Sequence, residues 1–431
     1  MSMLSDTIYA LSTPIGRSAI AVIRISGKNS YKTLKKISSI KKIYPNKTTL
    51  SILKFENKPI DQVVINYFKK PKSFTGEEMV EINCHGSLAV ISKISKTLEL
   101  LGLRLAEPGE FTKRALLNNK IDLIQTESLA DLINAETEKQ RSLAISNLSG
   151  KLSMFIKEIN TTLSFVLARV EALIDFSDED LPKNTNTIIL EQKQNILNKI
   201  NQELKKSKIS KPIREGFLIS VIGKPNTGKS SFINFISNKE VSIVTNLPGT
   251  TTDNISSVLD IDGYKCTFVD TAGLRKHKNK IEEIGIKKTK DLIMISDLSL
   301  VFLEKKEQNL YKNIKNKILI RSKFDRRKQK TSNKEIIDIS SLSGYGIKKV
   351  LDLTKKRLIK KHKNEPIFSR ERHINIMKKI MSELKSIKRS DSLDVQAFKY
   401  REAFKLSMEI NEKFDIEDVL DIVFKDFCIG K

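Results

Sequence analysis

Residues 217–231 read FLISVIGKPNTGKSS, and they restrict the possible folds of this chain more than any other stretch. A run of β-favouring apolar residues (Phe217, Leu218, Ile219, Val221, Ile222) passes directly into Gly223-Lys224-Pro225-Asn226-Thr227-Gly228-Lys229-Ser230, and a helical pattern resumes at Phe232. The octapeptide fits G-x-x-x-x-G-K-[ST] in the strand–loop–helix setting that its chemistry requires. Its glycines free the backbone to turn N–H groups inward around a phosphate, and the following helix adds the positive end of its dipole. Lys229 is then placed for the outer phosphates and the Ser230 hydroxyl for Mg²⁺. A phosphate-binding loop (P-loop) is expected, with Asn226, Thr227, Gly228, Lys229, Ser230 and Ser231 against a nucleotide.

The sequence beyond the loop extends this reading. Residues 241–253, VSIVTNLPGTTTD, contain Thr251, the candidate for a second protein ligand to Mg²⁺. Residues 254–260 and 264–269 alternate as strands around Asp262-Gly263, a hairpin signal. The second strand ends in Asp270-Thr271-Ala272-Gly273, where Asp270 would hold Mg²⁺ through water and the Gly273 N–H would sense a γ-phosphate. Apolar strands at 298–303 and 317–320 lead into Arg321-Ser322-Lys323-Phe324-Asp325. Guanine-binding proteins carry Asn-Lys-x-Asp at such a place, the carboxylate taking the N1 and N2 protons of the base. Lys323 and Asp325 fit; Ser322 stands where Asn is usual. A strand at 336–340 then brings Ser340-Ser341-Leu342 over the base, an imperfect Ser-Ala-Lys loop, with Ser341 among the expected contacts. These departures predict weakened nucleotide affinity, since a lost hydrogen bond costs about 1 kcal/mol. Leu274 follows Gly273, so it cannot orient an attacking water as a Gln there does. Asn226, as ligand to a monovalent cation, and Glu282, as water-orienting carboxylate if its loop swings in, are the candidates for that work; from spacing alone Glu282 reads equally as a solvated surface carboxylate.

Composition limits the remainder. The 431 residues suffice for two to four domains, and no apolar run approaches a membrane span. The N-terminus lacks a basic-then-apolar signal pattern, so a cytoplasmic location is expected. Three cysteines (Cys84, Cys266, Cys428) and four histidines show neither a disulfide framework nor metal-ligand spacing. The formal net charge of +26 permits a polyanionic partner such as RNA without requiring one, because Lys, Ile and Asn are enriched throughout. Residues 1–118 read as mixed α/β, with strands at 19–25, 63–67 and 79–83 and a helix at 88–101. Apolar residues from Leu152 to Ile174 recur at helical spacing as one long amphipathic helix. Further helices are expected at 126–146, 188–207, 370–387, 395–410 and 416–427. The fold class is therefore multidomain, α/β and all-α. An N-terminal α/β domain (1–118) precedes a discontinuous helical bundle (119–213 and 366–431), into which a Ras-like P-loop G domain (214–365) is inserted.

Taken together, DTIYALSTPIGRSAIAVIRISG, SFTGEEMVEINCHG, AEPGEFTKRALLNNKIDLIQTESLADLI, GKPNTGKSS, VTNLPGTTTD, DTAGLR and the terminal FCIGK carry a resemblance to the MnmE (TrmE) family of tRNA modification GTPases along essentially the whole chain. The resemblance implies a homodimer and potassium-dependent GTP hydrolysis. It also implies a heterotetramer with the FAD-binding partner MnmG (GidA), FAD entering only through that partner. Together the two add a carboxymethylaminomethyl-type group to C5 of the wobble uridine of certain tRNAs, with a tetrahydrofolate one-carbon derivative as donor. Asn226 matches the K⁺ ligand, completed by backbone of Thr245, Leu247 and Thr250, within a loop whose Asn246, Pro248 and Gly249 also flank the nucleotide. Ser230 and Thr251 match the Mg²⁺ ligands, Glu282 the water-orienting Glu, and Arg24, Glu81, Lys120 and Lys431 the folate-contacting positions. Cys428 matches the modification-site cysteine; nucleophile and folate-pocket wall both stay open as its role. Thr252 departs from the Arg of the family's GTTRD segment, while Arg275 is retained. Two other classes share some of these features: an Era- or Der-like ribosome-assembly GTPase, and a nucleotide-binding scaffold with weakened hydrolysis.

Overall fold

The structure is a computed structural model, and it describes residues 6–40, 42–176, 182, 184–239, 256–270, 291–304, 311–327, 331, 333–359, 365–411 and 430. Its internal contacts divide the chain into two units. One comprises residues 1–130, 147–164 and 401–431, the other 131–146 and 165–400.

In the first unit, six strands form one sheet: β1 (Ile8–Leu11), β2 (Ser18–Ser26), β3 (Thr48–Phe55), β4 (Lys58–Phe68), β5 (Met79–Gly86) and β6 (Arg104–Leu105). Their order is β3-β4-β5-β2-β1-β6, antiparallel except for the β1–β6 pair. Along β2, Ala21, Ile23 and Ile25 are buried while Val22 and Arg24 are only partly covered, the period-2 alternation of a sheet with one face on a core. Helices α1 (Ser30–Ile37) and α2 (Leu88–Leu100) cover that face through Leu34, Ile37, Ile94 and Leu98. Next to the sheet, α3 (Glu110–Leu117) presents Arg114, which is 1% exposed and is tied to Asp6 (2.6 Å), Glu77 (3.2 Å) and Glu110 (2.9 Å). At the other end of the sequence, the Gly430 carbonyl accepts the Ser12 hydroxyl at 2.8 Å, just past β1.

The expected helix at 126–146 is two. Helix α4 (Leu123–Ile133) ends before α5 (Glu138–Leu148), because Thr137 and Gln140 start a new helix reciprocally. The Gln140 side-chain oxygen accepts the Thr137 N–H at 3.0 Å and the Thr137 hydroxyl accepts the Gln140 N–H at 3.5 Å, a capping box. Helix α6 (Lys151–Asp175) realises the long amphipathic stripe, burying Leu152, Ile156, Ile159, Leu163, Val166 and Val170 at helical spacing. It is followed by α7 (Thr185–Lys206) and by α8 (Ser210–Glu215), a short helix that the sequence reading did not single out.

The second sheet belongs to the second unit. Its strands are β7 (Phe217–Gly223), β8 (Ser256–Ile261), β9 (Tyr264–Asp270), β10 (Leu298–Phe302), β11 (Lys317–Arg321) and β12 (Ile336–Asp338), in the order β12-β11-β10-β7-β9-β8. All pairs are parallel except the β8–β9 hairpin. A parallel sheet is covered on both faces, and β7 and β10 are accordingly near-continuous apolar runs. Helix α9 (Lys229–Lys239) packs Phe232, Ile233 and Ile236 into the same core. Helices α10 (Phe324–Arg327), α11 (Ile347–Leu358), α12 (Glu371–Ser386) and α13 (Leu393–Glu409) follow. The expected helix at 416–427 lies outside the described residues.

Candidate nucleotide site

In an open α/β sheet, ligands bind beyond the carboxyl ends of the strands where the strand order reverses. Here that point lies at the end of β7, between β9 and β10. Register brings three loops to it. Asp270, the last residue of β9, lies opposite Val221, and Phe302 of β10 lies opposite Gly223. The contact with β10 leaves no room for a side chain at Gly223: a Cβ there would lie 2.4 Å from the Phe302 carbonyl oxygen, and φ is +149°.

Three side chains meet in the loop. Lys229, 3% exposed, folds back so that Nζ donates to the carbonyls of Gly223 (3.0 Å) and Lys224 (2.7 Å). The Ser230 hydroxyl donates to Asp270 Oδ2 at 2.7 Å, and Asp270 is fully buried. Hydroxyl and carboxylate oxygen on one spot form the donor set that Mg²⁺ prefers, so the residues present fit that ion. Asn226 is exposed in the left-handed region at φ 61°, a conformation Asn tolerates better than most residues.

The loop that follows β11 is fastened to the P-loop. The Ser322 hydroxyl donates to the Thr227 carbonyl, and the Lys323 ammonium donates to the Asn226 carbonyl at 2.5 Å. Ser322, a departure in sequence, is therefore a tie between the two loops. Gly228 accommodates it, because a Cβ there would sit 2.6 Å from Ser322 Oγ. Asp325 Oδ1 accepts the Ser340 hydroxyl at 2.6 Å, and this bond is the main cause that holds its carboxyl below the usual carboxylate range. Ser341 stands next to Ser340 with a buried hydroxyl that has no hydrogen-bond partner among the described residues, and Leu342 is 84% exposed. Phe324 stacks on Tyr345 at 4.4 Å between centroids, stiffening both loops. Sequence reasoning missed that stack, since Phe324 fills the unspecified position of Asn-Lys-x-Asp and Tyr345 lies outside every motif.

In the first unit, Arg24 and Glu81 face each other across β2 and β5 and pair at 2.8 Å. The Arg24 guanidinium lies 6.0 Å from the Phe74 ring centroid, and Lys120 donates to the Pro71 carbonyl of the same 71–76 segment at 3.1 Å. Three of the four expected folate positions are thus gathered around one segment. Thr245, Asn246, Leu247, Pro248, Gly249, Thr250, Thr251, Thr271, Ala272, Gly273, Glu282, Cys428 and Lys431 lie outside the described residues. Among the described residues no helix is long and apolar enough to cross a membrane.

Comparison with known proteins extends over the whole chain. Residues 7–120 match the family model of the GTP-binding protein TrmE N-terminus, and residues 123–428 that of the MnmE helical domain. The chain is 36% identical to the tRNA modification GTPase MnmE of Aquifex aeolicus over 449 residues, covering 99% of this chain and 100% of that protein. It is 37% identical to the protein of the same name from Fervidobacterium nodosum over 457 residues, with 99% and 98% covered. For that of Thermotoga maritima the identity is 34% over 451 residues, with 99% and 100% covered. Among solved structures, the G domain of the T. maritima FeoB iron transporter overlaps 33% of this chain and 98% of its own at 19% identity, with a TM-score of 0.26. Full-length kinship at this identity, with both family models in place, decides the matter: the chain belongs to the MnmE (TrmE) family of tRNA modification GTPases.

Proposed function

We propose that this protein is a potassium-activated GTPase that drives modification of the wobble uridine of certain tRNAs together with an FAD-dependent partner of the MnmG (GidA) type. The observation that carries the reading is the meeting of Lys229, Ser230 and Asp270 at the carboxyl ends of β7 and β9. Lys229 already rests on loop carbonyls, so an incoming phosphate only has to draw its ammonium a short way outward. Ser230 and Thr251 would hold Mg²⁺, which neutralises charge on the β- and γ-phosphates. Asn226, with backbone of Thr245, Leu247 and Thr250, would hold K⁺ beside the phosphates. Glu282 would orient the attacking water, a task closed to Leu274. Asp325, oriented by Ser340 and kept ionised by that bond, would accept the N1 and N2 protons of guanine.

The N-terminal sheet would supply the second chemistry. Arg24, Glu81, Lys120 and Lys431 would bind the folate one-carbon donor, the Phe74 ring giving an apolar wall beside the Arg24–Glu81 pair. Cys428 would act near that donor. We assign the domains as 1–118, 119–213 with 366–431, and 214–365, the protein working as a cytoplasmic homodimer in a complex with its MnmG partner. GTP must favour a closed arrangement of the G domains over an open one to drive such a cycle. The test is steady-state GTP hydrolysis in KCl against NaCl: strong stimulation by K⁺ is expected, and equal rates would remove the cation role of Asn226.

A further inference from the structure

Four cationic side chains outside the nucleotide site border one cavity in the second unit. The cavity has a volume of about 310 Å³, within the range of small-ligand sites, and is bordered by Lys208, Lys211, Arg214 and Lys378. Two carboxylates share its wall, Glu215 and Glu371. Glu215 is taken up by its neighbours, at 2.5 Å from Arg214 and 3.8 Å from Lys211. Neither Lys208 nor Lys378 has an acidic partner among the described residues. Ser210, also in the wall and 1% exposed, has a hydroxyl without a hydrogen-bond partner among the described residues. Like charges borne by α8, α12 and the preceding turn repel one another around this hollow, an arrangement relieved by a bound anion.

We propose that this cavity binds a phosphate group, either of an RNA backbone or of a small phosphorylated ligand. Phosphate matches the walls: lysine ammoniums supply point charges, Arg214 a planar fork and Ser210 a neutral hydroxyl. The place has a consequence for the nucleotide site. Helix α8 carries Lys211 and Arg214 and runs through Gly216 directly into β7, which ends at the P-loop. Gly216 sits so close to β9 that a Cβ would lie 2.4 Å from the Lys265 carbonyl oxygen, so α8 and the P-loop strand are joined without slack. Helix α8 thus places the phosphate at the start of the strand that ends at the P-loop.

The RNA form of the proposal rests on the tRNA reading above; the small-ligand form does not. The test compares the full chain, saturated with GDP and Mg²⁺ to occupy the P-loop, with a Lys211→Gln/Lys378→Gln double variant. Unmodified tRNA and inorganic pyrophosphate are the probes, and GDP affinity is the control for folding. If the ligand is RNA, the double variant binds tRNA about tenfold more weakly at 50 mM salt, and its log-affinity against log-salt slope is shallower by about 2. If the ligand is small, pyrophosphate binds saturably to the wild-type chain and not to the variant, whether or not tRNA binds. Unchanged affinity for both probes overturns the site. Absence of tRNA binding by the wild-type chain counts separately, against the tRNA reading.

Discussion

Replacing Ser322 with Ala removes one hydroxyl and nothing else from the seam between the base-reading loop and the P-loop. That hydroxyl is the donor to the Thr227 carbonyl, and Ser322 is only 9% exposed, so water does not readily take its place. An intramolecular hydrogen bond contributes about 0.5–1.5 kcal/mol net. If the nucleotide binds only when the two loops are fastened, that energy appears in its dissociation constant. At 1.4 kcal/mol per tenfold, the expected loss is about 2- to 12-fold in GDP affinity. The Lys323 bond to the Asn226 carbonyl remains, so the loop should loosen without detaching. Titration of a fluorescent GDP analogue against wild type and Ser322→Ala measures the ratio, and thermal unfolding without nucleotide reports any general loss of stability. An affinity within 1.5-fold of wild type, with an unaltered melting curve, would refute the claim that this serine fastens the loops.

Other expectations follow from neighbouring features. Lys229→Ala should abolish measurable GTP turnover while leaving far-UV dichroism unchanged; residual steady-state turnover would count against the P-loop reading. Ser340→Ala removes the main cause that depresses the Asp325 carboxyl, so its pKa should rise toward the ordinary carboxylate value. Guanine recognition needs the ionised form, present above that pKa and lost as pH falls through it; the acid limb of GDP affinity should therefore move to higher pH in the variant. Burial pushes the Cys84 thiol up to about 11 and Cys266 to about 12, so neither should react with a thiol reagent in the native protein near neutral pH. Peptide mapping after brief labelling should then find neither Cys84 nor Cys266 modified. Arg114→Ala removes the buried guanidinium shared by Asp6, Glu77 and Glu110, leaving Arg104 to hold Asp6 and Glu110 while Glu77 loses its ion pair, and should cost about 3 kcal/mol in denaturant unfolding. Burial raises the carboxyl pKa values of Asp6 and Glu110, but the bonds from Arg104 and Arg114 outweigh it and hold both low. Their stabilising effect is accordingly present above the ordinary carboxylate range and is lost as pH falls below it.

What the sequence disclosed depended on how local the signal was. The P-loop, the Asp262-Gly263 hairpin and the stripe of α6 each depend on neighbours within a few residues, and all three are found where spacing placed them. Helices α4 and α5 were read as one because apolar periodicity runs across the join; only the Thr137–Gln140 reciprocity marks the break. Strands β1, β3 and β6 escaped notice because sheet membership is decided by distant partners: β6 is two residues long and exists only through its pairing with Tyr9 and Ile8. The same limit applied to the site. Ser322 read as a defect in a motif, because its function is defined by a carbonyl 95 positions earlier in the chain. Arg24 and Glu81 enter as separate folate positions through family resemblance, and only cross-strand register makes them a pair.

The bond between Ser12 and Gly430 also sets a timetable for synthesis. Its partners are 418 positions apart, so at about 5–20 residues per second the ribosome needs about 20–80 s between them. Throughout that interval the first unit lacks its closing segment, residues 401–431, while residues 165–400 emerge with their own complete parallel sheet. The later-encoded nucleotide unit is thus free to fold, and to meet GTP, before the earlier-encoded unit is finished.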